Sequence, residues 1–325
     1  MSTTVPVPPP DQLPADTDFE ETTKPAPKPS GAVGQRSGGW FVRITVLTIV
    51  VIWMIPALGV LVTSFRAESV VNVDGWWNVL WDPFNSDWTL ENYRTALDSG
   101  GFANAFMNSL AVTVPATVMP VVIAAFAAYA FSWMDFRGRH IMFVLVVGLM
   151  VVPLQMALIP ILRLYTSGGV LFGVTVFPDL DLNGTFLGIW LAHTAFGLPL
   201  ATYLLRNYIG SLPSSLIESA RIDGADNFTI FWRLIVPLSV PALAAFTIFQ
   251  FLWVWNDLLV ALVFLGGTSD TAVLTVELQK LVGARGQDWH LLTSAAFITM
   301  ILPLVVFFSL QRYFVRGLTA GSVKG

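Results

Sequence analysis

Long apolar stretches separated by short polar segments run through the chain from residue 40 onwards. Six of them lack charged residues for about the 20 residues that a helix needs to cross a bilayer. They are Ile44–Val62, a window inside Phe102–Met134, Ile141–Leu162, Gly184–Leu205, Leu234–Asn256 (predicted to continue to about Leu265) and Leu291–Gln311. No alternation of period two appears in them, which disfavours a membrane β-barrel. The pattern predicts an all-α integral membrane protein with six transmembrane helices.

Prolines lie inside these apolar stretches at eight positions. They are Pro56, Pro115, Pro120, Pro153, Pro160, Pro199, Pro241 and Pro303. Neighbouring helices in a bundle can satisfy the carbonyl groups that a proline frees, so kinked helices are expected. The prolines fit either irregular packing or bending points in a transporter that opens on alternate sides, and they do not separate these two interpretations.

Both ends of the chain differ from the apolar part. Residues 1–39 contain eight prolines among acidic and small residues, and such a stretch cannot bury enough apolar surface to become ordered. We predict a disordered tail there, and not a signal peptide, because the first apolar run begins only at Trp40. The six-helix domain is expected over residues 40–316, followed by a short tail, 317–325.

Composition supports a membrane protein and excludes several kinds of site. Hydrophobic residues make up 55% of the 325 residues and charged residues only 12%, about half the charged fraction of a soluble domain. There is no cysteine, which excludes disulfides, thiolate zinc sites and cysteine nucleophiles. Three scattered histidines make a metal site improbable. No catalytic residue, cofactor or nucleic-acid partner is expected.

The arrangement of lysine and arginine predicts the orientation. With the N-terminus in the cytoplasm, twelve of the seventeen basic residues lie inside and five lie outside. The five outer ones are Arg66, Arg94, Arg163, Lys280 and Arg285. This bias predicts a multi-pass protein of the cell membrane with both termini in the cytoplasm.

The first outer segment, Arg66–Gly101, is rich in tryptophan. The four indoles belong to Trp76, Trp77, Trp81 and Trp88. They fit an interfacial belt, which is the favoured interpretation because such belts are common. The alternative is a contact surface for an extracellular partner.

The longest inner segment, Arg206–Arg233, is too polar to cross the membrane. Pro213 suits the first position of a short helix of about three turns, and Gly224 suits its end. Ser215 and Glu218 have the spacing of a capping box. Asp226 or Asn227 can cap a second helix that runs through Trp232. Two short helices joined at a glycine indicate either a docking element or an ordinary amphipathic pair at the membrane surface.

This segment resembles the cytoplasmic loop of permeases in binding-protein-dependent importers. The family pattern is Glu-Ala-Ala, three residues, Gly, nine residues and Ile-x-Leu-Pro. Here Glu218-Ser219-Ala220, Gly224 and Leu234-Ile235-Val236-Pro237 fall on that spacing. Ser219, Leu234 and Val236 depart from this pattern, but each is similar in size to the residue that the pattern has there. The resemblance implies a loop, 206–237 between helices 4 and 5, that couples to an ATPase. Its expected coupling residues are Glu218, Ser219, Ala220, Asp223, Gly224 and Pro237.

Three further elements are similar to the smaller permease of maltose-type sugar importers. They are the C-terminus Gln311–Gly325, Trp255-Asn256-Asp257 and Asn108-Ser109-Leu110. The resemblance spans about residues 40–325, whereas the segment around Val174–Asn183 departs from it. It implies that the tail reaches the ATPase interface through Gly317, Leu318, Thr319 and Gly321. Asn256 and Asp257 become candidates for the translocation path.

The resemblance also implies an assembly. The expected protein partners are a second, different permease subunit, an ATPase dimer and an extracellular sugar-binding protein. Membrane lipid is expected around the helices, and the expected substrate is a maltose-like or α-glucoside-like sugar. The chain itself contains no Gly-x-x-x-x-Gly-Lys-Ser/Thr phosphate loop. Nothing in it can hold ATP by that route, so the energy is expected to come from another polypeptide.

Alternatives remain open at single residues and for the whole chain. Asp257 fits either a sugar path or a structural hydrogen bond, with the structural role favoured. His193 is expected to be packed and hydrogen-bonded, and Gly188 and Gly197 are expected to allow close helix approach. A secondary transporter or channel would need paired charges in mid-membrane, which the apolar stretches lack. A membrane enzyme has no motif in its favour.

Overall fold

The structure is a computed structural model that describes residues 39–98, 101–268, 270–281 and 288–320. Of residues 170, 171 and 313–320 it describes the backbone alone. The chain divides between Ile55 and Pro56 into two units. The first unit contributes the N-terminal part of helix α1, and the second contains the rest.

Within the described residues, helices make up nearly all of the regular structure. The helices are α1 (Trp40–Ser64), α2 (Glu68–Val71), α3 (Glu91–Asp98), α4 (Phe102–Trp133), α5 (Arg139–Gly148), α6 (Leu154–Ser167), α7 (Phe186–Ile209), α8 (Ser214–Ile222), α9 (Asn227–Ile230), α10 (Val236–Trp255), α11 (Leu259–Leu265), α12 (Leu274–Leu281) and α13 (Trp289–Ala320). Strands β1 (Gly169–Leu171) and β2 (Val174–Phe177) form an antiparallel hairpin between α6 and α7. The predicted all-α fold is confirmed, with this hairpin as a local addition.

Five helices of the described chain are long and apolar enough to cross a membrane. They are α1, α4, α7, the run Asn227–Trp255 that joins α9 to α10, and α13 over Trp289–Arg312. A bent pair formed by Arg139–Val151 and Leu154–Ser167 makes a sixth if it is one span. The protein is therefore a multi-pass membrane protein, and all six predicted apolar segments correspond to helical structure.

The third predicted span, Ile141–Leu162, is wrong as a single helix. The chain bends by 107° between Val151 and Leu154. Pro153 explains the position of the break, because a proline forces the preceding residue out of the helical region. Val152 accordingly has an extended backbone, with ψ of 117°. Pro160, by contrast, remains inside α6.

The fifth predicted span also differs from the structure at both ends. Its membrane helix begins at Asn227 and passes through a π turn, Phe231–Ile235. It ends at Trp255, so the predicted continuation to Leu265 is wrong and α11 is a separate helix. Pro237 has no N–H to bond the carbonyl of Arg233, and the wide turn accommodates this missing bond.

Small residues bring α4, α7 and α10 close together. Ala116, Ala124 and Ala128 of α4 are fully buried, as are Ala192 and Ala201 of α7. Such residues let helix backbones approach where lipid gives no hydrophobic driving force. The centre of the second unit is therefore a tightly packed three-helix contact.

The two glycines of α7 have different neighbours. A Cβ on Gly197 would lie 2.7 Å from the side-chain oxygen of Gln250, so the predicted close approach to another helix is confirmed. A Cβ on Gly188 would lie 2.3 Å from the carbonyl oxygen of Leu182. The neighbour of Gly188 is thus the loop that precedes α7, and the expected helix contact is wrong there.

The ends of the chain are described only in part. Residues 1–38 of the predicted N-terminal tail lie outside the described residues. At the other end, α13 continues to Ala320, well past the predicted limit of Gln311. Gly317, Leu318 and Thr319 therefore have helical backbone, and Gly321 lies outside the described residues.

The orientation can be tested by cysteine labelling, since the chain has no cysteine of its own. We expect single cysteines at Asn85 and Asn183, both exposed, to react with an impermeant maleimide from outside intact cells. Cysteines at the exposed Asp135 and Ser214 should react only after the cells are opened. A cysteine at the neighbouring position Ser86 would be buried and would not react with the maleimide. The reverse labelling pattern would contradict a cytoplasmic N-terminus.

Candidate coupling site and polar centre of the bundle

Helix α8 is amphipathic and is held by one deeply buried residue. Ile217 is 1% exposed and belongs to an apolar cluster with Leu205 and Ile209 of α7 and with Ile230 and Ile235 beyond α8. The helix has nine residues, about two and a half turns, close to the predicted three. Its buried face therefore lies on the ends of the membrane helices.

One hydrogen bond ties α8 to α4, and a second joins the end of α4 to the end of α7. The Arg221 guanidinium donates to the carbonyl of Trp133 at the end of α4, at 2.9 Å. The indole N–H of Trp133 donates to the carbonyl of Ile209 at the end of α7, at 3.0 Å. Arg221 and Trp133 therefore form a continuous chain of hydrogen bonds from α8 through α4 to α7.

Gly224 ends α8 in a left-handed conformation, with φ of +80°. The N–H of Gly224 donates to the carbonyl of Arg221, and the N–H of Ala225 donates to the carbonyl of Ala220, both at 3.0 Å. This pair of bonds is the Schellman motif, which satisfies the last carbonyls of a helix. The predicted stop at Gly224 is confirmed.

The predicted capping box is wrong. Pro213 occupies the N-cap position of α8, one residue before the predicted place, and no side chain caps the helix. Ser215 lies inside the helix, so its hydroxyl cannot reach the N–H groups of the first turn.

Asp226 caps α9, as predicted. Its carboxylate accepts the N–H of Thr229 at 2.9 Å. Hydrogen bonds from the side chain and backbone of Thr229 hold the pKa of Asp226 below its ordinary value. The group remains ionised near neutral pH and favours the N-terminal end of the helix.

The six predicted coupling residues form an exposed surface. Glu218, Ser219, Asp223, Gly224 and Pro237 are exposed, and Ala220 is half-buried against the cluster around Ile217. Among the described residues, Glu218 has no hydrogen bond or ion pair, so its carboxylate is available to a partner.

Sequence reasoning missed two apolar residues on this surface. Ile222 is 86% exposed and Phe228 is 65% exposed. Exposed apolar side chains with a polar rim are typical of interaction sites, and here they lie beside the exposed Glu218 and Asp223. The available signal was the separation of Ile217 and Ile222, since five residues place them on different faces of a helix.

A polar centre lies at the other end of α10, at the break before α11. The Asp257 side chain is 11% exposed. Its carboxylate accepts the N–H groups of Val260 at 3.3 Å and Ala261 at 3.0 Å, and its carbonyl accepts the hydroxyl of Thr275 at 2.7 Å. The favoured structural interpretation agrees with this geometry, because Asp257 starts α11 and ties it to α12.

His193 is packed as predicted, at 1% exposure, but the predicted hydrogen bond is wrong within the described residues, since its buried Nδ1 has no partner. Its Nε2 lies 3.8 Å from Oδ2 of Asp257, beyond hydrogen-bonding distance. A cavity of about 10 Å³ beside the two side chains is lined also by Ser109 and Thr113. That space is at the lower limit for one water molecule.

The Asn108-Ser109 element holds the segment before α12. The Asn108 amide donates to the carbonyls of Asp270 and Ala272 at 2.8 and 2.9 Å. The Ser109 hydroxyl accepts the N–H of Leu274 at 2.8 Å. These residues therefore position α12 against α4.

Trp255 and Asn256 differ in burial and in their hydrogen-bond partners. Trp255 is 4% exposed and donates to the carbonyl of Thr299 at 3.2 Å, which joins α10 to α13. Asn256 is exposed and donates to the carbonyl of Leu252 at 2.7 Å. A place for Asn256 on a translocation path remains a prediction.

With this geometry in view, comparison with known families decides the class of protein. Residues 120–320 match the model of the binding-protein-dependent transport system inner membrane component. This chain belongs to that family. The match runs from the middle of α4 to the end of α13, so it contains α8, Gly224 and the polar centre.

Curated relatives are similar over most of the chain. The osmoprotective compounds uptake permease protein GgtD of Synechocystis is 58% identical over 87% of this chain and 91% of that protein. The α-glucoside transport system permease protein AglG of Rhizobium meliloti is 60% identical over 73% of this chain and 60% of that protein. The arabinooligosaccharides transport system permease protein AraQ of Halalkalibacterium halodurans is 30% identical over 88% of this chain and 96% of that protein.

A solved structure has the same fold. It belongs to a bacterial ABC transporter involved in the import of the acidic polysaccharide alginate. The TM-score is 0.66 at 21% identity, with 88% of this chain and all of that chain covered. The helical architecture of this family member therefore matches an experimentally determined permease fold.

The capping role of Asp257 in this permease-family chain gives a stability prediction. We expect Asp257→Ala to lower the stability of the detergent-solubilised protein by about 1–2 kcal/mol, since two backbone N–H groups lose their acceptor. Asp257→Asn keeps an acceptor oxygen and should lose clearly less. Thermal unfolding of the three proteins measures the difference. Equal melting temperatures for Ala and wild type would contradict the capping role.

Proposed function

We propose that this chain is the membrane-spanning permease subunit of an ATP-binding-cassette importer that moves a sugar into the cell. The observation that carries the proposal is α8, an exposed helix ended by a left-handed Gly224 and anchored through Ile217. The spacing of Glu218, Gly224 and Pro237 matches the ATPase-contacting loop of such permeases.

The arrangement of α8 supports a mechanical role. An ATPase subunit pressing on the exposed face would move α8 as one body, since Ile217 and Arg221 tie it to the ends of α4 and α7. ATP-driven closure of two ATPases would then tilt the membrane helices from an inward-facing to an outward-facing arrangement. An extracellular binding protein delivers the sugar, and a second, different permease completes the path.

For the substrate we propose a neutral α-glucoside. The relative AglG is named for α-glucoside transport, and AraQ for arabinooligosaccharides. A neutral polyhydroxyl substrate needs hydrogen-bonding groups, and it needs no ring of opposite charge in the membrane. The apolar segments of this chain, with few ionisable residues, agree with such a substrate.

The substrate class can be tested in cells. We expect deletion of the gene for this chain to abolish high-affinity uptake of labelled maltose or another α-glucoside, and reintroduction of the gene to restore it. Uptake of an amino acid serves as the control and should not change. Unaltered α-glucoside uptake in the deletion strain would contradict the proposed substrate class.

We further propose that the C-terminus from Gly317 contacts the ATPase dimer. Small residues let backbone approach backbone in a narrow groove, and Gly317, Thr319 and Gly321 are small. Deletion of residues 318–325 should reduce co-purification of the ATPase and uptake at least about fivefold, equivalent to about 1 kcal/mol. Insertion of the protein into the membrane should persist. Full uptake and full ATPase recovery in the truncated protein would rule the contact out.

A further inference from the structure

A second cavity lies far along the chain from α8, among residues of the predicted outer side. It has a volume of about 310 Å³ and lies between the last turns of α1, the segment that follows α1, and the first turns of α13. This volume is at the lower end of the range for small-ligand pockets. Three indoles line it, those of Trp76, Trp77 and Trp289.

The three indoles that line the cavity differ in exposure. Trp77 is 56% exposed and Trp289 is 52% exposed. Trp76 is half-buried against α1, where a Cβ on Gly59 would lie 2.7 Å from its Nε1. Gly59 is therefore required for Trp76 to reach this place. Of the three indoles, that of Trp76 is therefore held in place by its packing against α1.

An ion pair between the buried Arg66 and the partly exposed Asp74 forms the polar side of the same cavity. Arg66 is 2% exposed and donates to the carboxylate of Asp74 at 2.8 Å and to its carbonyl at 3.3 Å. The Asn78 amide binds the other carboxylate oxygen, and the hydrogen bonds from Asn78 and Arg66 hold the pKa of Asp74 below its ordinary value. The carboxylate has about four acceptor positions, so positions remain free for a ligand.

The charged groups that line the cavity indicate a neutral ligand. The opposite charges of Arg66 and Asp74 cancel, so an ionic ligand would have to compete with a partner already in place. The hydroxyls of Thr63 and Thr293 add further polar groups to the lining. Both hydroxyls already donate to carbonyl groups of their own helices at 2.8 Å, so an acyl chain would leave unused only the free acceptor positions of the Asp74 carboxylate.

We propose that this cavity binds a neutral sugar ring, as an outer subsite separate from the coupling surface. A pyranose ring has a flat C–H face that fits an indole and a rim of hydroxyl groups that can donate to Asp74. The sugar class follows from the proposed function, and on that point the inference depends on it. Trp76 and Trp77 of the outer segment would thereby contact a specific ligand in addition to lying at the membrane interface.

Equilibrium binding to the whole importer tests the subsite. The complex of both permeases and the ATPases is placed in lipid nanodiscs without binding protein and titrated with labelled maltose. Trp289→Ala should weaken maltose binding about tenfold, and Trp289→Phe, which keeps a flat face, should weaken it clearly less. Trp81→Ala is the matched control, because Trp81 is 85% exposed and does not line the cavity. It should bind maltose like wild type.

The outcomes separate the subsite from the proposed function. Maltose uptake by the wild-type importer with no maltose binding in the nanodiscs would overturn the subsite and leave the function standing. Maltose binding that Trp289→Ala does not change would also overturn the subsite. A wild-type importer that takes up no α-glucoside would instead refute the function. Glucuronate that binds as tightly as maltose would contradict the neutral-ligand argument.

Discussion

Substitution of Gly224 by leucine is expected to reduce sugar uptake to below about a tenth of the wild-type level. Gly224 has a φ of +80°, and a leucine side chain in the left-handed region costs about 1–2 kcal/mol. A Cβ at this position meets no atom of the described residues within 4 Å. The chain itself has room for the side chain, so the main effect should come from a clash with the ATPase or from a displaced α8.

Gly138 offers a matched control for the same substitution. It has a φ of +85°, and a Cβ there also meets nothing within 4 Å. Backbone strain should therefore be similar in Gly138→Leu, but this glycine lies in the turn before α5, outside the proposed coupling surface. We expect Gly138→Leu to keep at least about half of the uptake. Equal losses in the two variants would mean that strain alone, and not ATPase contact, explains the effect.

Substitution of two isoleucines of α8 by aspartate should have different effects, one on folding and the other on ATPase binding. Ile217→Asp places a carboxylate in a site that is 1% exposed among apolar side chains. The expected loss of stability is more than about 4 kcal/mol, because the charge has no partner there. We expect little folded protein in the membrane, as measured by size-exclusion chromatography of a fluorescent fusion.

Ile222→Asp should fold normally, because Ile222 is 86% exposed in the chain. The proposed ATPase contact should nevertheless be lost, since a charge would replace an apolar side chain at the interface. Co-purification of the ATPase should fall about tenfold while the amount of folded permease is unchanged. A normal ATPase yield with Ile222→Asp would remove this side chain from the proposed interface.

Much of the fold could be predicted because its signals are local. Apolar length alone located all six segments, and the stop at Gly224 and the cap at Asp226 depend on residues within a few positions. The break in the third span was harder, since Pro153 breaks the helix and Pro160 does not. Whether a proline is tolerated depends on the contacts of its segment with neighbouring helices, and the sequence of that segment alone does not reveal these contacts.

At the candidate sites, too, local features could be predicted from the sequence and long-range contacts could not. The coupling motif was found from spacing, but the exposure of Ile222 and Phe228 depends on which face of the loop packs on α4 and α7. The contacts of Asn108 and Ser109 with residues 270–274 span more than 160 positions. The cavity beside Arg66 likewise joins residues 56–77 to the start of α13, more than 200 positions away. Such long-range contacts leave no periodic pattern for sequence reasoning to detect.

The most direct test of the central claim is sugar uptake by proteoliposomes that contain the whole importer and an external binding protein. Labelled maltose should enter only when ATP is enclosed and hydrolysed, and an ionophore that collapses ion gradients should have no effect. Replacement of ATP by a non-hydrolysable analogue should stop uptake. Uptake that persists without ATP and disappears with the ionophore would show a secondary transporter and contradict this account.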